Sequence, residues 1–434
     1  MQTNQKPTYI DTLDPDIFTY IRYGDYADRY PAHTAQEFPQ EVYDELRTAS
    51  AALFAVFCKA AKVFQQAPDS FARAMDMPEE LLPYLRIPNA FQLPTWLSRL
   101  DFVLDEKGHI RMVEINADTP CFIIESFYAN SAAAAYFGRQ DPNAEALPQL
   151  RSFLARIHDR LCAPVADLRT RALMRRTFLF SCFDDYPEDL ATTHFLMRLM
   201  QEGAEHGDIR FRSFYEIEID AKGLPLADNA YASAFYRLHP MEILIDERTP
   251  DGDPLGQMFL DLYKEGKFAL MNPPEAIILQ NKSFMALVYA LAQTEQFFSA
   301  EECALIRRWL APSYFEDDFA SLADGTYIRK EIWGREGRSV SLVEKRGGRA
   351  AKVLEKQPDN ADDIICRESR AAMYQDFIRQ PRFVHTVDSG TTEGCLTLSC
   401  FMLFDTPSAV GCRFSPEEIA GTEAYFVPLV ISQK

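Results

Sequence analysis

Apolar residues recur at helical spacing between Glu41 and Phe64 (Val42, Leu46, Leu53, Val56, Phe57), which predicts one long amphipathic helix. Pro78, Pro83, Pro88 and Pro94 then break the chain into short helices and turns. From Leu97 the period changes. Arg99-Leu-Asp-Phe-Val-Leu104 alternates polar and apolar residues, Asp105-Glu-Lys-Gly108 supplies a turn, and His109 to Asn116 alternates again, so a β-hairpin is predicted over 97–118. Pro148 to Leu161 reads as a helix. Arg176 to Phe183 is a continuous apolar run that suits a buried strand, followed by a helix over Glu188 to His206 and a strand over Ile209 to Tyr215.

Further along, Phe211 to Leu238 suggests a strand pair turning at Lys222-Gly223. Helices are expected over Phe259 to Phe268 and Lys282 to Phe298. Asp324 to Leu354 reads as two strands around the loop Gly334-Arg-Glu-Gly337, and Gly394 to Ile431 as more strands. No internal repeat appears. The expected class is mixed, α+β and α/β.

Composition narrows the function classes. Of 434 residues 47% are hydrophobic and 25% charged, enough for a large core and unlike a disordered chain. The net charge of −19 offers no basic patch for a nucleic acid, and its field would favour a cationic partner such as an amine. Met1 to Asp11 lacks the apolar run of a signal peptide, and Ala51 to Phe64, interrupted by Lys59 and Lys62, is too short to cross a membrane. Nine cysteines without a C-x-x-C pair read as reduced thiols, so a cytoplasmic protein is expected. No zinc spacing, G-x-S-x-G elbow or Walker A loop is present.

Four groups of residues carry candidate chemistry. Residues two apart on a strand share a face, so Arg99 and Asp101 lie together, as do Glu114 and Asn116. If register joined those faces, hard oxygen ligands suited to Mg²⁺ would converge beside a guanidinium. From spacing alone, a solvated hairpin face with an ordinary Arg–carboxylate pair is the commoner arrangement. The loop Gly334–Gly337, with Lys330 just before it, has the glycines of a phosphate-covering lid, though a plain turn has them too. Lys282 stands near a helix N-terminus, where a cation opposes the dipole. The run Asp184-Asp185-Tyr-Pro-Glu188-Asp189 leaves a strand where α/β ligands bind; it also makes a good helix start.

In this order the pieces resemble the synthetase domain of the glutathionylspermidine synthase family and its stand-alone relatives. The matching residues are Arg99-Leu-Asp101, Glu114-Ile-Asn-Ala-Asp118, Glu188-Asp189, Asn281-Lys282, Lys330-Glu-Ile-Trp-Gly-Arg-Glu-Gly337, Tyr374-Gln375 and Gly411-Cys-Arg413. The resemblance implies an ATP-grasp-like fold with a preceding pre-ATP-grasp region. It divides the chain into a substrate region, 1–270, and a nucleotide region, 271–434, whose lid spans 330–340. It implies ATP and Mg²⁺ as cofactors, with Asp101, Glu114 and Asn116 as metal ligands. Lys282, Lys330, Gly334, Arg335, Glu336, Gly337 and Gln375 would hold the nucleotide. Arg99 and Arg413 would stabilise the transferring phosphate, and Thr119, Glu188 and Asp189 would line the site of the acid and amine.

The implied reaction joins a small-molecule or peptide carboxylate to a polyamine-like amine through an acyl phosphate. A module that binds nucleotide or a partner without turnover is the alternative. Three positions depart from the family pattern: Glu331 replaces a proline, Met241 an aromatic residue, and Thr397 stands near the place of a glutamine. No preceding amidase domain is expected. Glu331 is expected to put a carboxylate close to the phosphates.

Overall fold

The computed structural model describes residues 8–22, 28–162, 177–204, 207–227, 230–347, 352–356, 366–421 and 423–433. Three sheets carry the architecture. An antiparallel sheet of six strands has Leu97–Leu104 near its middle, between Ile110–Asn116 and Gly390–Leu403; Thr406–Ser415 and Tyr425–Phe426 follow, and Phe383–Val387 pairs with the start of Gly390–Leu403. A second antiparallel sheet runs Lys352–Lys356, Ser341–Lys345, Gly325–Glu331, Ala372–Asp376, Ser313–Phe315. A parallel sheet runs Asp208–Phe211, Thr177–Ser181, Ala232–Arg237, Ala269–Met271. Strands from both expected segments, 1–270 and 271–434, thus share the six-stranded sheet.

The long helix forms over Gln40–Phe64, burying Leu46, Leu53, Val56 and Phe57 as its period requires. It packs on Gly390–Leu403 and Thr406–Ser415, covering the apolar face of the six-stranded sheet. The helix Pro187–Gly203 begins with a proline in its first turn and follows the buried strand Thr177–Ser181, as the pattern predicts. The expected strand pair over 211–238 is not a hairpin. Asp208–Phe211 and Ala232–Arg237 lie parallel on opposite sides of Thr177–Ser181, and only isolated bridges join the segment between them. Lys222-Gly223 does make a tight turn, with Gly223 at φ +132°, but the turn folds back on Asp220 rather than pairing two long strands.

One side chain ties the parallel sheet to the hairpin. Asn272, buried at the end of Ala269–Met271, accepts hydrogen bonds from the amides of Trp96 and Leu97 at 3.0 Å each. It donates to the carbonyls of Leu97, Ala117 and Asp118 at 2.8, 3.1 and 2.9 Å. The hairpin is therefore held at both open ends by one amide.

Candidate active site

The two faces of the hairpin do converge. Arg99 pairs with Asn116 and Asp101 with Glu114 across the strands. Between Asp101 and Phe102 the register shifts, so Phe102 meets Met112 and Val113 is left as the extra residue of a bulge. The bulge lets Met112 stay in the core while Glu114 turns to the opposite, polar face. It also takes the Val113 carbonyl out of the ladder, and that oxygen accepts from Lys330 Nζ at 2.9 Å.

Asp101 is 1% exposed and bound on all sides. Arg99 grips it with Nε to Oδ1 at 2.8 Å and Nη2 to Oδ2 at 2.9 Å. Arg413, two strands away, donates Nη2 to Oδ2 at 2.8 Å. Ser399 Oγ donates to Oδ1 at 2.7 Å, and Asn116 Nδ2 to Oδ2 at 3.2 Å. The cross-strand rows explain this meeting: Ser399 lies opposite Asp101 and Gly411 on its two sides, and Thr397 lies opposite Arg413.

Glu114 faces the second sheet. Lys282 Nζ, at the start of the helix Ser283–Thr294, is 3.1 Å from its Oε1 and donates to the carbonyl of Gly334 at 2.6 Å. Burial works to raise the Glu114 pKa, but Lys282 and Lys330 outweigh it and hold the group down at about 2. Burial pushes Lys330 the other way, to about 8, with Glu114 opposing. Lys330 also donates to Gln375 Oε1 at 3.0 Å, and Gln375 Nε2 donates to Ser313 Oγ at 3.0 Å. Four basic side chains thus surround two carboxylates, an excess of positive charge suited to a polyphosphate.

The loop after Lys330 lies over this cluster. Arg335 donates Nε to Glu242 Oε1 at 2.8 Å, and Glu242 is 1% exposed. Trp333 Nε1 donates to the Asp76 carbonyl at 2.9 Å. Gly337 has φ +77°, and a Cβ there would stand 2.6 Å from the Ala420 carbonyl, so a glycine is required. Glu331 follows Lys330 on one strand and projects to the opposite face, where it lies in the field of Cys366.

A second group of residues adjoins the first. Arg99 Nη1 donates to the Cys121 carbonyl at 2.7 Å, placing the turn from half-buried Thr119 beside the cluster. Burial raises Asp189 to about 8, reinforced by Glu188 and by Glu336 of the Gly334–Gly337 loop and opposed by Arg335. Burial also raises Glu336. The Cys121 thiol is held well above its usual value by burial, with Glu188 and Asp189 adding to the shift, so it stays protonated and offers no nucleophile.

Every candidate residue therefore falls in one of two adjoining groups. Ser399, Glu242 and Arg237 escaped the sequence reading. Glu242 was visible as the retained acid after the altered Met241. Asp118 ended a quoted motif, and it holds buried Arg237 through both oxygens, at 3.0 and 2.5 Å, and the Met241 amide at 2.8 Å. Ser399 had no local signal, because its role comes from a strand 298 residues away from Asp101.

Asp101, Glu114 and Asn116 carry hard oxygens of the kind Mg²⁺ takes alongside phosphate oxygens, while both Asp101 oxygens already accept hydrogen bonds from Arg99, Arg413, Ser399 and Asn116. Among the described residues no group of three His, Cys, Asp or Glu could hold a metal ion. No helix among the described residues is long and apolar enough to cross a membrane.

Comparison with known proteins agrees with this geometry. Over 93% of its length the fold superposes, with a TM-score of 0.58 and 12% identity, on 90% of the chain of a glutathione synthetase-like effector from Globodera pallida solved in its apo form. That likeness speaks for an ATP-grasp-like fold. Residues 1–432 match the glutathionylspermidine synthase preATP-grasp family, and the chain belongs to that family of ligases.

Proposed function

We propose that this chain is an ATP- and Mg²⁺-dependent carboxylate–amine ligase that forms an amide through an acyl phosphate. The observation that carries the reading is the pairing of Asp101 with Glu114 on one sheet face, with Lys282 and Lys330 reaching Glu114 from the other side. Asp101, Glu114 and Asn116 would hold Mg²⁺, which supplies charge neutralisation to the nucleotide phosphates.

The γ-phosphoryl group passes from ATP to a substrate carboxylate, leaving ADP. An amine then attacks the acyl carbon, phosphate departs, and the amine's surplus proton is lost. No protein nucleophile is needed; the chain positions reactants and offsets charge. Lys282 and Lys330 suit the phosphates, and the Gly334–Gly337 loop covers them. Arg99 and Arg413 stand where the sheet face meets the Cys121 turn, so they suit the oxygens of the group in transfer. Thr119, Glu188 and Asp189 border the acid and amine.

A non-catalytic module is the second reading. It is favoured by Asp101, whose oxygens are already engaged by Arg99, Arg413, Ser399 and Asn116. Phosphate release from ATP with Mg²⁺ separates the two, screened over carboxylates (glutathione, short peptides) crossed with amines (spermidine, other polyamines, amino acids). Release that needs both an acid and an amine and is lost in Glu114→Ala supports the ligase. ATP binding without release from any pair supports the module.

A further inference from the structure

Lys282 is held on both sides by one backbone oxygen. Asn281 Nδ2 donates to the Met75 carbonyl at 2.8 Å, and Ser283 Oγ donates to the same oxygen at 3.4 Å. The Asn281 side chain also accepts from the Ser283 amide at 2.8 Å, an Asx turn that opens the helix Ser283–Thr294. The next carbonyl along, that of Asp76, accepts from Trp333 Nε1 at 2.9 Å. Trp333 directly precedes Gly334, whose carbonyl receives Lys282 Nζ. Both halves of the Lys282–Gly334 contact are therefore anchored on consecutive peptide groups of one corner, where the chain leaves the short helix Asp69–Ala74.

The conformation of the corner suits its residue type. Asp76 takes φ +59°, in the left-handed region that Asp and Asn enter more readily than other residues with a side chain. Its carboxylate, 5% exposed, is engaged as well. Oδ2 accepts from the Arg370 amide at 2.9 Å and Oδ1 from Arg370 Nε at 2.8 Å. Arg370 stands two residues before the strand Ala372–Asp376, which presents Gln375 to Lys330. Beside it, Ser369 Oγ accepts from the Trp333 amide at 2.8 Å. One corner thus gathers three segments that are far apart in sequence, around residues 281–283, 333 and 369–370.

We propose that Asp76 is a positioning residue of the nucleotide site: through Trp333, Arg370 and, with the Met75 carbonyl, Asn281 and Ser283, it sets the spacing of the helix that presents Lys282, the Gly334–Gly337 loop and the strand that presents Gln375. The inference rests on the placement of a nucleotide among Lys282, Lys330 and that loop, which the ligase and the non-catalytic module share. Donors from separate elements meet one polyphosphate only when those elements are held within about 0.5 Å of their working positions. They contribute most when nothing must move as the charge of the ligand arrives. A buried carboxylate with both oxygens engaged supplies that rigidity from behind. The corner lies in the segment 1–270, so the geometry of the nucleotide site is fixed in part by residues outside 271–434.

The test is calorimetric titration of the whole chain with ATP in the presence of MgCl2, on wild type, Asp76→Gly and Asp76→Asn. Glycine keeps the left-handed backbone and both carbonyls but loses the carboxylate; asparagine keeps the backbone and one acceptor oxygen. Asp76→Gly should weaken ATP binding about tenfold, and Asp76→Asn only about threefold. A residue that merely stabilised the fold would lower the melting temperature of Asp76→Gly and leave the affinity of the folded chain unchanged.

If Asp76→Gly fails to fold by thermal melting, Arg370→Met is read in its place. The Arg370 side chain is 69% exposed, and its loss removes one of the two bonds to the carboxylate, for an expected weakening of about threefold. ATP affinity within about twofold of wild type in the folded variant, or a loss in Asp76→Asn as large as in Asp76→Gly, overturns the proposal and leaves the nucleotide site standing. No binding of ATP by wild type overturns the nucleotide site itself, and this inference with it.

Discussion

Lys282 Nζ lies 3.1 Å from Glu114 Oε1 and 2.6 Å from the Gly334 carbonyl, so one ammonium joins the hairpin to the loop that covers it. Lys282→Met keeps the length of the side chain and removes the charge. It should lower ATP-dependent phosphate release about 100-fold, the usual cost of losing one donor in a preorganised site. The freed loop should be cut faster in limited proteolysis near Arg335 and Arg338. Unchanged release in Lys282→Met would remove the lysine from the nucleotide site.

Asn272 makes all its hydrogen bonds to the backbone of the hairpin's open end. Asn272→Ala strands two buried amides and up to three carbonyls. At about 1–3 kcal/mol per unsatisfied group, with partial relaxation, a loss of about 3 kcal/mol is expected in urea unfolding. A loss under about 1 kcal/mol would show that water replaces the amide at this position.

Gly411→Ala tests how closely the segment from Thr119 through the turn Glu125–Ala129 must lie on the sheet. The new methyl meets Phe122 and Ser126, and overpacking of this kind costs about 1–3 kcal/mol. Displacement of the turn should impair the acid and amine site more than the nucleotide site. KM for ATP should hardly move while KM for an acid or amine rises. A larger effect on ATP would place the turn on the nucleotide side.

His385 provides a pH dependence with a defined sign. It is buried, accepts or donates at Nδ1 with Thr34 Oγ1 at 3.0 Å, and packs edge-on to Phe414. Burial lowers its pKa from 6.5 to about 4. The unfolded chain therefore binds a proton at higher pH than the folded one. His385 contributes stability that is complete above the unfolded value, is lost as pH falls between about 6.5 and about 4, and changes no further below. The raised carboxyls Glu125, Asp189 and Glu275 act oppositely, stabilising as pH falls from about 8. The measurement is thus the difference between wild type and His385→Gln in denaturation at pH 5 and pH 7. An equal difference at both pH values would show that His385 is already charged in the fold.

Much of this was legible in the chain, and what escaped has physical causes. Helical spacing found Gln40–Phe64 almost to its ends, because a helix that covers a sheet shows its apolar stripe locally. The hairpin was legible from alternation and its turn. Whether its faces converge was not, since register depends on the partner strand. The strand pair over 211–238 failed because parallel strands separated by a loop give the same apolar runs as a hairpin. Resemblance alone pointed to Lys282 and Gln375 as nucleotide contacts, a proposal that spacing could not make. Ser399 became visible only when distant segments met. One signal was present and passed over. Ile110, Met112 and Ile115 are buried, so the spacing of core residues jumps from two to three within the second strand.

That jump bears on how the chain can change length. The extra residue at Val113 acts as a phase shifter, letting one strand feed the core through Ile110 and Met112 and the polar face through Glu114 and Asn116. A single deletion between Arg111 and Glu114 would put those two halves back in step and carry either Met112 or Glu114 to the wrong side. The same deletion in the exposed turn Asp105–His109 leaves both halves where they are. A change of length in this part of the protein is therefore accommodated in the turn, whereas one between Ile110 and Asn116 puts a side chain on the wrong face.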